Sequence, residues 1–546
     1  MYFLQSFFKQ PSFFTVPSFF KQKDFKQVWK YVAWFLFALI IFLRLWRLDV
    51  TPPGFYLDEA SIAYNGYTLL TTGQDEYGTF WPIYFKAFGE YKNPLYIYLQ
   101  LPFFVLFGVS RWSSRIVAAL SFLAAAGAFA LLMAESLKTS FRQLRLDRIW
   151  LPVLVTTSMF LVLPWTFALG RITFEIATFP VFFVLSLFFL HRVVWLHPVS
   201  QVNTLRANWF RFCFVIGVMF YTYTLGRYIS PVLLVLASLV LFTKVEWKAM
   251  LAGWSLFGLV LVPAIGWEVF NPGSLLSRYS AIAVHDTSLF TLISGYLSHF
   301  NPNFLFNSGD GNLRHGFLHA GPFLWTSLPF LLVGIQQFFK REKREFSFII
   351  LALVVLTPIP AMLTLPSPHV LRVIPLLLII SYFIGLGIIS LWNNAAVFKF
   401  LLAALVIEAV VLISSYFGSF NKAAQMWFDA DLVTMLEQTM PTNPAPYFVS
   451  KDLQMQTHIS AQFVHAYMNI SSDDADSIDV SLPAASQLAS KTDIVVVPDV
   501  TEEFLLTLGS GTIFLNRNEC LDFEPVLSTY YQKVWSSEYS CAWRHN

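Results

Sequence analysis

Pro52-Pro53-Gly54-Phe55-Tyr56-Leu57-Asp58-Glu59-Ala60 follows an apolar run over 31–47 that is long enough to cross a bilayer. The Pro-Pro-Gly triplet breaks the chain after that run. A helix is predicted over 57–70, with Asp58 and Glu59 in its first turn. Carboxylates at that position compensate the helix dipole or cap free N–H groups. They can also do chemistry, Asp58 accepting a proton from an attacking group, and general-base help is worth roughly 10²–10⁴-fold in rate. The same wet loop, 48–112, carries Gly89-Glu90-Tyr91-Lys92-Asn93-Pro94-Leu95-Tyr96. Two carboxylates and a lysine at the mouth of a membrane protein point to chemistry at the membrane surface on a lipid-linked anion.

Composition supports the membrane reading. Of 546 residues 56% are hydrophobic and only 13% charged, and 58 are Phe. Soluble domains carry about 25% charged residues. Eleven spans are predicted: 31–47, 113–134, 149–167, 176–194, 210–224, 230–243, 249–269, 322–339, 346–364, 373–391 and 398–416. The class is therefore a polytopic α-helical membrane protein. Nothing in the chain points to a nucleic-acid partner.

Basic residues set the orientation. With the N-terminus inside, short inner loops hold Lys138, Arg192, Lys244, Lys340 and their neighbours. Long outer loops then run over 48–112 and 270–321. Residues 1–30 repeat Ser-Phe-Phe, as in Ser6-Phe7-Phe8 and Ser18-Phe19-Phe20, and form either an arm on the cytoplasmic leaflet or a disordered tail. From Phe417 onward there are 16 acidic and 6 basic residues, whereas the rest holds 17 acidic and 30 basic. This division marks residues 417–546 as a separate extracytoplasmic domain. Its apolar runs at 447–449, 493–497 and 511–515 read as strands, and 454–468 and 501–508 as helices, giving a small α/β fold. Cys520 and Cys541 can pair if that domain lies outside.

The remaining candidates converge on the outer face. Lys92 either snorkels to the interface or pairs with a lipid phosphate, and Glu90 can orient it. Arg171 and Glu175 have the spacing of an i,i+4 pair. Arg227 (followed by Tyr228) and Arg372 stand at outer span ends, where the planar guanidinium suits phosphate oxygens. His315 and His319 lie four apart near Asp310, but no third ligand with a standard spacing accompanies them, so no metal site is predicted. His369 is ambiguous in the same way. Glu408 falls inside the last span, either bonding to a neighbouring helix or marking a functional site.

The chain resembles the polyprenol-phosphate-dependent glycosyltransferases of the GT-C fold. The nearest groups are the protein O-mannosyltransferase and aminoarabinose-transferase relatives of family 39. The resemblance rests on Asp58-Glu59-Ala60, Tyr91-Lys92-Asn93-Pro94-Leu95-Tyr96, Leu106-Phe107-Gly108, Arg115 with Ala118-Ala119-Leu120, and His369-Val370-Leu371-Arg372-Val373-Ile374-Pro375. It covers most of residues 31–416. Aminoarabinose transferases typically show Glu-Lys-Pro-Pro where this chain has Tyr91-Lys92-Asn93-Pro94, and an arginine where Ser61 stands, so the sugar is left open.

The resemblance implies a GT-C-like domain over 31–416 and transfer from a polyprenyl-phosphate sugar on the extracytoplasmic face. The acceptor would be a lipid, protein or glycan, and no cofactor is required. Asp58 would act as base and Glu59 would orient the acceptor or the helix. Lys92, with Arg171 or Arg372, would hold the donor phosphate. Glu90, Tyr91, Arg227, Tyr228 and His369 would line the substrate. A transporter of a lipid-linked or anionic substrate is the rival from another class, although no repeated halves are evident. A membrane-anchored binding protein working through its tail is another.

Overall fold

The computed structural model describes residues 22–140, 149–284, 288–392, 394–440, 447–450, 494–497, 500–501, 505–506, 512–537 and 540–545. The predicted helix over 454–468, most of that over 501–508 and residues 1–21 lie outside them. In chain order come α1 (Gln22–Leu45), α2 (Leu57–Thr72), the hairpin β1 (Phe85–Ala87) and β2 (Glu90–Lys92), and α3 (Pro94–Phe107). Then follow α4 (Arg111–Ser140), α5 (Trp150–Val162), α6 (Pro164–Leu169), α7 (Phe179–Trp195), α8 (Val202–Met219), α9 (Thr224–Leu241) and α10 (Trp247–Phe270). The second long loop carries α11 (Ser277–Ile282) and α12 (Leu289–Ser298). The bundle closes with α13 (Leu328–Arg341), α14 (Arg344–Leu356), α15 (Pro358–Met362), α16 (Ile374–Leu391) and α17 (Ala395–Phe417), before α18 (Ser419–Ala423) and α19 (Ala430–Thr439).

Helices occupy all eleven predicted stretches, but they are not equally long. Among the described residues, seven are long and apolar enough to cross a membrane: Arg111–Thr139, Glu175–Trp195, Thr224–Leu241, Trp247–Phe270, Arg344–Met362, Val370–Leu391 and Ala396–Phe417. Helix α5 is one of the shorter apolar helices, because Leu163-Pro164 turns the chain into α6. The α16 span is 94% buried and is the centre of the bundle, whereas the α10 and α17 spans are 22% buried and form its rim. Small residues let α13 and α16 cross closely: a Cβ on Gly334 would meet the Phe383 carbonyl oxygen at 1.7 Å, and one on Gly387 would meet that of Phe330 at 1.9 Å.

Buried arginines close the end of the first span. The last carbonyls of a helix have no partner within it. Arg171 donates to the carbonyls of Leu43, Arg44, Trp46, Arg47 and Thr51, at 2.7–3.3 Å. Arg44 in turn donates to the carbonyls of Leu161 and Thr166. The predicted pairing of Arg171 with Glu175 does not occur; Glu175 instead accepts from the backbone and side-chain N–H groups of Asn93 at 2.9 and 2.6 Å. Glu408, within α17, accepts the N–H groups of Trp325 and Thr326 at 2.9 Å and so caps a neighbouring helical turn.

The tail forms a five-stranded sheet in the order β4-β3-β5-β7-β6, from β3 (Tyr447–Ser450), β4 (Ile494–Val497), β5 (Thr512–Asn516), β6 (Tyr531–Ser536) and β7 (Ser540–His545). The first three are parallel, and β6 and β7 form an antiparallel edge; Phe448 of β3 and residues 512–515 of β5 are buried. A disulfide, Cys520–Cys541, ties the short helix Arg517–Asp522 to β7. Cys213 is a buried free thiol. Unreduced protein unfolded in denaturant is therefore expected to take one equivalent of thiol reagent, and reduced protein three. Three equivalents without reduction would show that the tail thiols are not paired.

Candidate active site

The first turn of α2 is held from several sides. All five guanidinium N–H groups of the fully buried Arg115 are used. It meets Glu59 in a two-point pair at 2.8 and 2.7 Å, and donates to the carbonyls of Leu48, Pro52 and Gly54. The Glu59 carboxylate also accepts the Thr173 N–H at 2.8 Å. Asp429, entering from the tail, accepts the Leu57 N–H at 3.2 Å and caps the helix where its own residues do not. Gly54 sits at φ +61°, and a Cβ there would lie 2.2 Å from the Phe428 carbonyl oxygen. The turn is thus locked between α4, the segment after α6 and the start of α19.

Asp58 points the other way, into a cavity of about 580 Å³ bounded by α2, α9, α11, α15 and the segment before α16. Lys92, at the end of β2, reaches it at 2.5 Å; the lysine side chain is 2% exposed and Asp58 is 31% exposed. Burial pushes the Asp58 carboxyl up, but the ammonium of Lys92, with Arg278 and Arg314 behind it, outweighs that and holds it below its ordinary value. Burial likewise opposes the charged lysine, and Asp58 and Glu175 more than offset it, so Lys92 is held above its ordinary value. Both partners are therefore ionised at neutral pH.

Four arginines line the same cavity: Arg227, Arg278, Arg314 and Arg372. Arg278 pairs with Glu90 at 2.8 Å. Arg314 stacks over Tyr56 with its charge 4.6 Å from the ring centre, and donates to the Trp427 carbonyl. Arg372 is oriented by Thr364 and by the carbonyls of Leu365 and Pro366. Arg227 donates to Asn93 and to the Leu275 carbonyl. Apolar and aromatic side chains, among them Leu276, Ile282, Ile359, Leu363, Tyr223 and Tyr228, make up much of the remaining lining, with Asn312, His315 and His369 beside them. The cavity thus combines four cationic side chains with apolar and aromatic ones.

The structure brings together Asp58, Arg227, Tyr228, His369 and Arg372 on this cavity. Glu90, Tyr91 and Lys92 line a small annex of about 30 Å³ that also touches Asp58, Tyr223 and Arg278. Glu59 and Arg171 are not on either cavity; both are fully buried, and the carbonyls of α1 and the following turn occupy the Arg171 donors. Sequence reasoning missed Arg278 and Arg314 as cavity cations. Both stand in the second outer loop, without a motif to single them out. His315 and His319, four apart in sequence, do not share a helix face: no regular helix forms there, and His315 bonds to Asp310 at 2.8 Å, with His369 3.8 Å from the same carboxylate.

A helical membrane bundle with two long loops roofing a cationic cavity, plus a small sheet domain, is an ArnT-like GT-C fold. The apo crystal structure of ArnT from Cupriavidus metallidurans matches with a TM-score of 0.58 and 14% identity, over 95% of this chain and 98% of that one. The same protein bound to undecaprenyl phosphate gives a TM-score of 0.59 over the same shares. The archaeal oligosaccharyltransferase AglB from Archaeoglobus fulgidus superposes more loosely, with a TM-score of 0.45, 13% identity and coverage of 81% and 64%. No protein-family model matches the chain, and no curated protein sequence does. At this identity the likeness establishes the fold.

Proposed function

We propose that the protein is a membrane glycosyltransferase that moves a sugar from a polyprenyl-phosphate donor to an acceptor on the extracytoplasmic face. The observation that carries this reading is one cavity lined together by the carboxylate of Asp58, by Arg278, Arg314 and Arg372, and by apolar side chains. The prenyl chain lies along Leu276, Ile282, Ile359 and Leu363. The phosphate sits among the arginines, which suit its oxygens better than a lysine does. Asp58 takes the proton of an acceptor hydroxyl as its oxygen attacks the anomeric carbon. The bond from that carbon to the phosphate oxygen breaks in the same displacement, inverting the configuration. Polyprenyl phosphate leaves with the electron pair, and the arginines stabilise its charge. Such a leaving group needs no acid, so a second catalytic carboxylate is not required. Lys92 keeps Asp58 ionised and aimed. The acceptor is a lipid, protein or glycan.

Mass spectrometry of a panel of polyprenyl-phosphate sugars, incubated with purified protein and a broad acceptor mixture, tests the reaction class. Consumption of one donor by wild type and not by Asp58→Asn supports it. No consumption of any donor by folded protein counts against it. Arg372→Leu and Arg278→Leu are each expected to weaken polyprenyl-phosphate binding about tenfold to a hundredfold, as loss of a charged hydrogen bond does. Unchanged affinity in both would remove the arginines from the donor site.

A further inference from the structure

Three side chains beside the cavity remain unused by the transfer mechanism. Asp310 follows Gly309, which turns the chain at φ +59°. His315 comes five residues later in the same loop, and His369 arrives from the segment leading into α16. One ligand atom from each lies within 4.8 Å of the others. The three are largely buried, with side chains 5%, 10% and 13% exposed. The Asp310 carboxylate is aimed by two backbone N–H groups, those of Asn312 at 3.1 Å and Val370 at 3.0 Å. His369 is placed through its own N–H, which donates to His299 at 3.2 Å. Its ring Nδ1 is buried and has no hydrogen-bond partner among the described residues.

We propose that Asp310, His315 and His369 form a binding site for a divalent transition-metal ion such as zinc, with its fourth side open to the cavity. Two imidazoles and a carboxylate are a three-ligand set that zinc takes when it keeps one position open. Tetrahedral ligands at about 2.0–2.1 Å from the metal stand roughly 3.3 Å apart. The observed 2.8 Å (Asp310–His315) and 3.8 Å (Asp310–His369) bracket that spacing, and the widest separation, up to 4.8 Å, closes by rotation of an imidazole when an ion is held. An ion replaces the Asp310–His315 hydrogen bond and gives the orphaned His369 nitrogen a partner. A plain Asp–His hydrogen bond accounts for His315 but leaves that nitrogen unpaired, at a cost. Second contacts to the ligands, here Asn312, Val370 and His299, are what metal sites use to fix ligand orientation. His315, His369 and Asn312 all line the main cavity, so the open position meets whatever anion the cavity holds. The proposal does not depend on the transferase reading.

The test uses full-length protein purified through a tag without histidines, stripped with chelator, equilibrated with zinc and desalted. Elemental analysis is expected to find about one zinc per chain. Competition with a chromogenic chelator is expected to show affinity at least about tenfold weaker in His315→Ala, His369→Ala and Asp310→Asn. His319→Asn is expected to bind as wild type does; its residue is at φ +58°, which Asn tolerates. X-ray absorption on the loaded wild type is expected to show imidazole scattering with nitrogen at about 2.0 Å. Absence of stoichiometric zinc, full retention in His315→Ala and His369→Ala, or a spectrum without imidazole overturns the proposal. The spectrum keeps the result decisive should a variant not fold.

Discussion

Asp58→Asn protein is expected to lose transfer by roughly 10²–10⁴-fold, the range of general-base catalysis, scored per folded protein because the change also leaves the buried Lys92 ammonium without its ion partner. The substitution keeps the side chain's shape in a cavity that already admits solvent. It removes the charge and with it the capacity to take a proton. Full activity in Asp58→Asn, in the donor-consumption assay, would remove Asp58 as the base. The pH dependence follows from its pairing. Asp58 is held below its ordinary 3.8 and Lys92 above its ordinary 10.5. The acid contributes stability that is present above its unfolded value and lost as pH falls through the lowered folded value. The lysine contributes stability that is present below its unfolded value and lost as pH rises through the raised folded value. The pair is therefore intact throughout the neutral range. Lys92→Met removes the strongest force holding the carboxyl down and leaves burial pushing it up. The acid limb of its activity profile is expected to move to higher pH, while that of wild type stays below the neutral range. Coincident profiles would end the assignment of Lys92 to Asp58.

Glu59→Gln and Arg115→Leu are expected to fail differently, through the fold. Each leaves one buried charge without its partner, at a cost of about 3–5 kcal/mol. Arg115→Leu also strands the carbonyls of Leu48, Pro52 and Gly54, which its guanidinium now satisfies. Both proteins should show lowered thermal unfolding temperatures in detergent and reduced recovery from membranes. Any protein recovered folded should retain polyprenyl-phosphate binding, because neither side chain reaches the cavity. Normal stability in both variants, with lost activity, would instead place Glu59 in the chemistry beside Asp58. Two adjacent acids in one helical turn thus separate by experiment: one changes the rate and the other changes the fold.

Neighbouring residues on a helix point about 100° apart, and that is what divides Asp58 from Glu59. The sequence could place both in the first turn of a helix after the Pro-Pro-Gly break, but it could not say which faced solvent. It also determined where helices lie, because long apolar runs in a bilayer have to satisfy their own backbone. The parallel strands of the tail were legible as short β-branched and apolar runs; the pairing of Cys520 with Cys541 was only allowed, not required. Arg171 shows what a linear reading lacks. Its position at the end of a span suits a phosphate site, yet the carbonyls it satisfies lie more than a hundred residues away, at the end of α1. Arg278 and Arg314 take up positions on the cavity instead, brought there by the path of the second loop over the bundle. Asp310, His315 and His369 come together for the same reason, across a gap that no ligand spacing would suggest. Local chemistry and hydrophobic length are properties of a segment, and the sequence alone determined them. Which charges share a cavity depends on contacts between distant segments, and only the tertiary structure decided that.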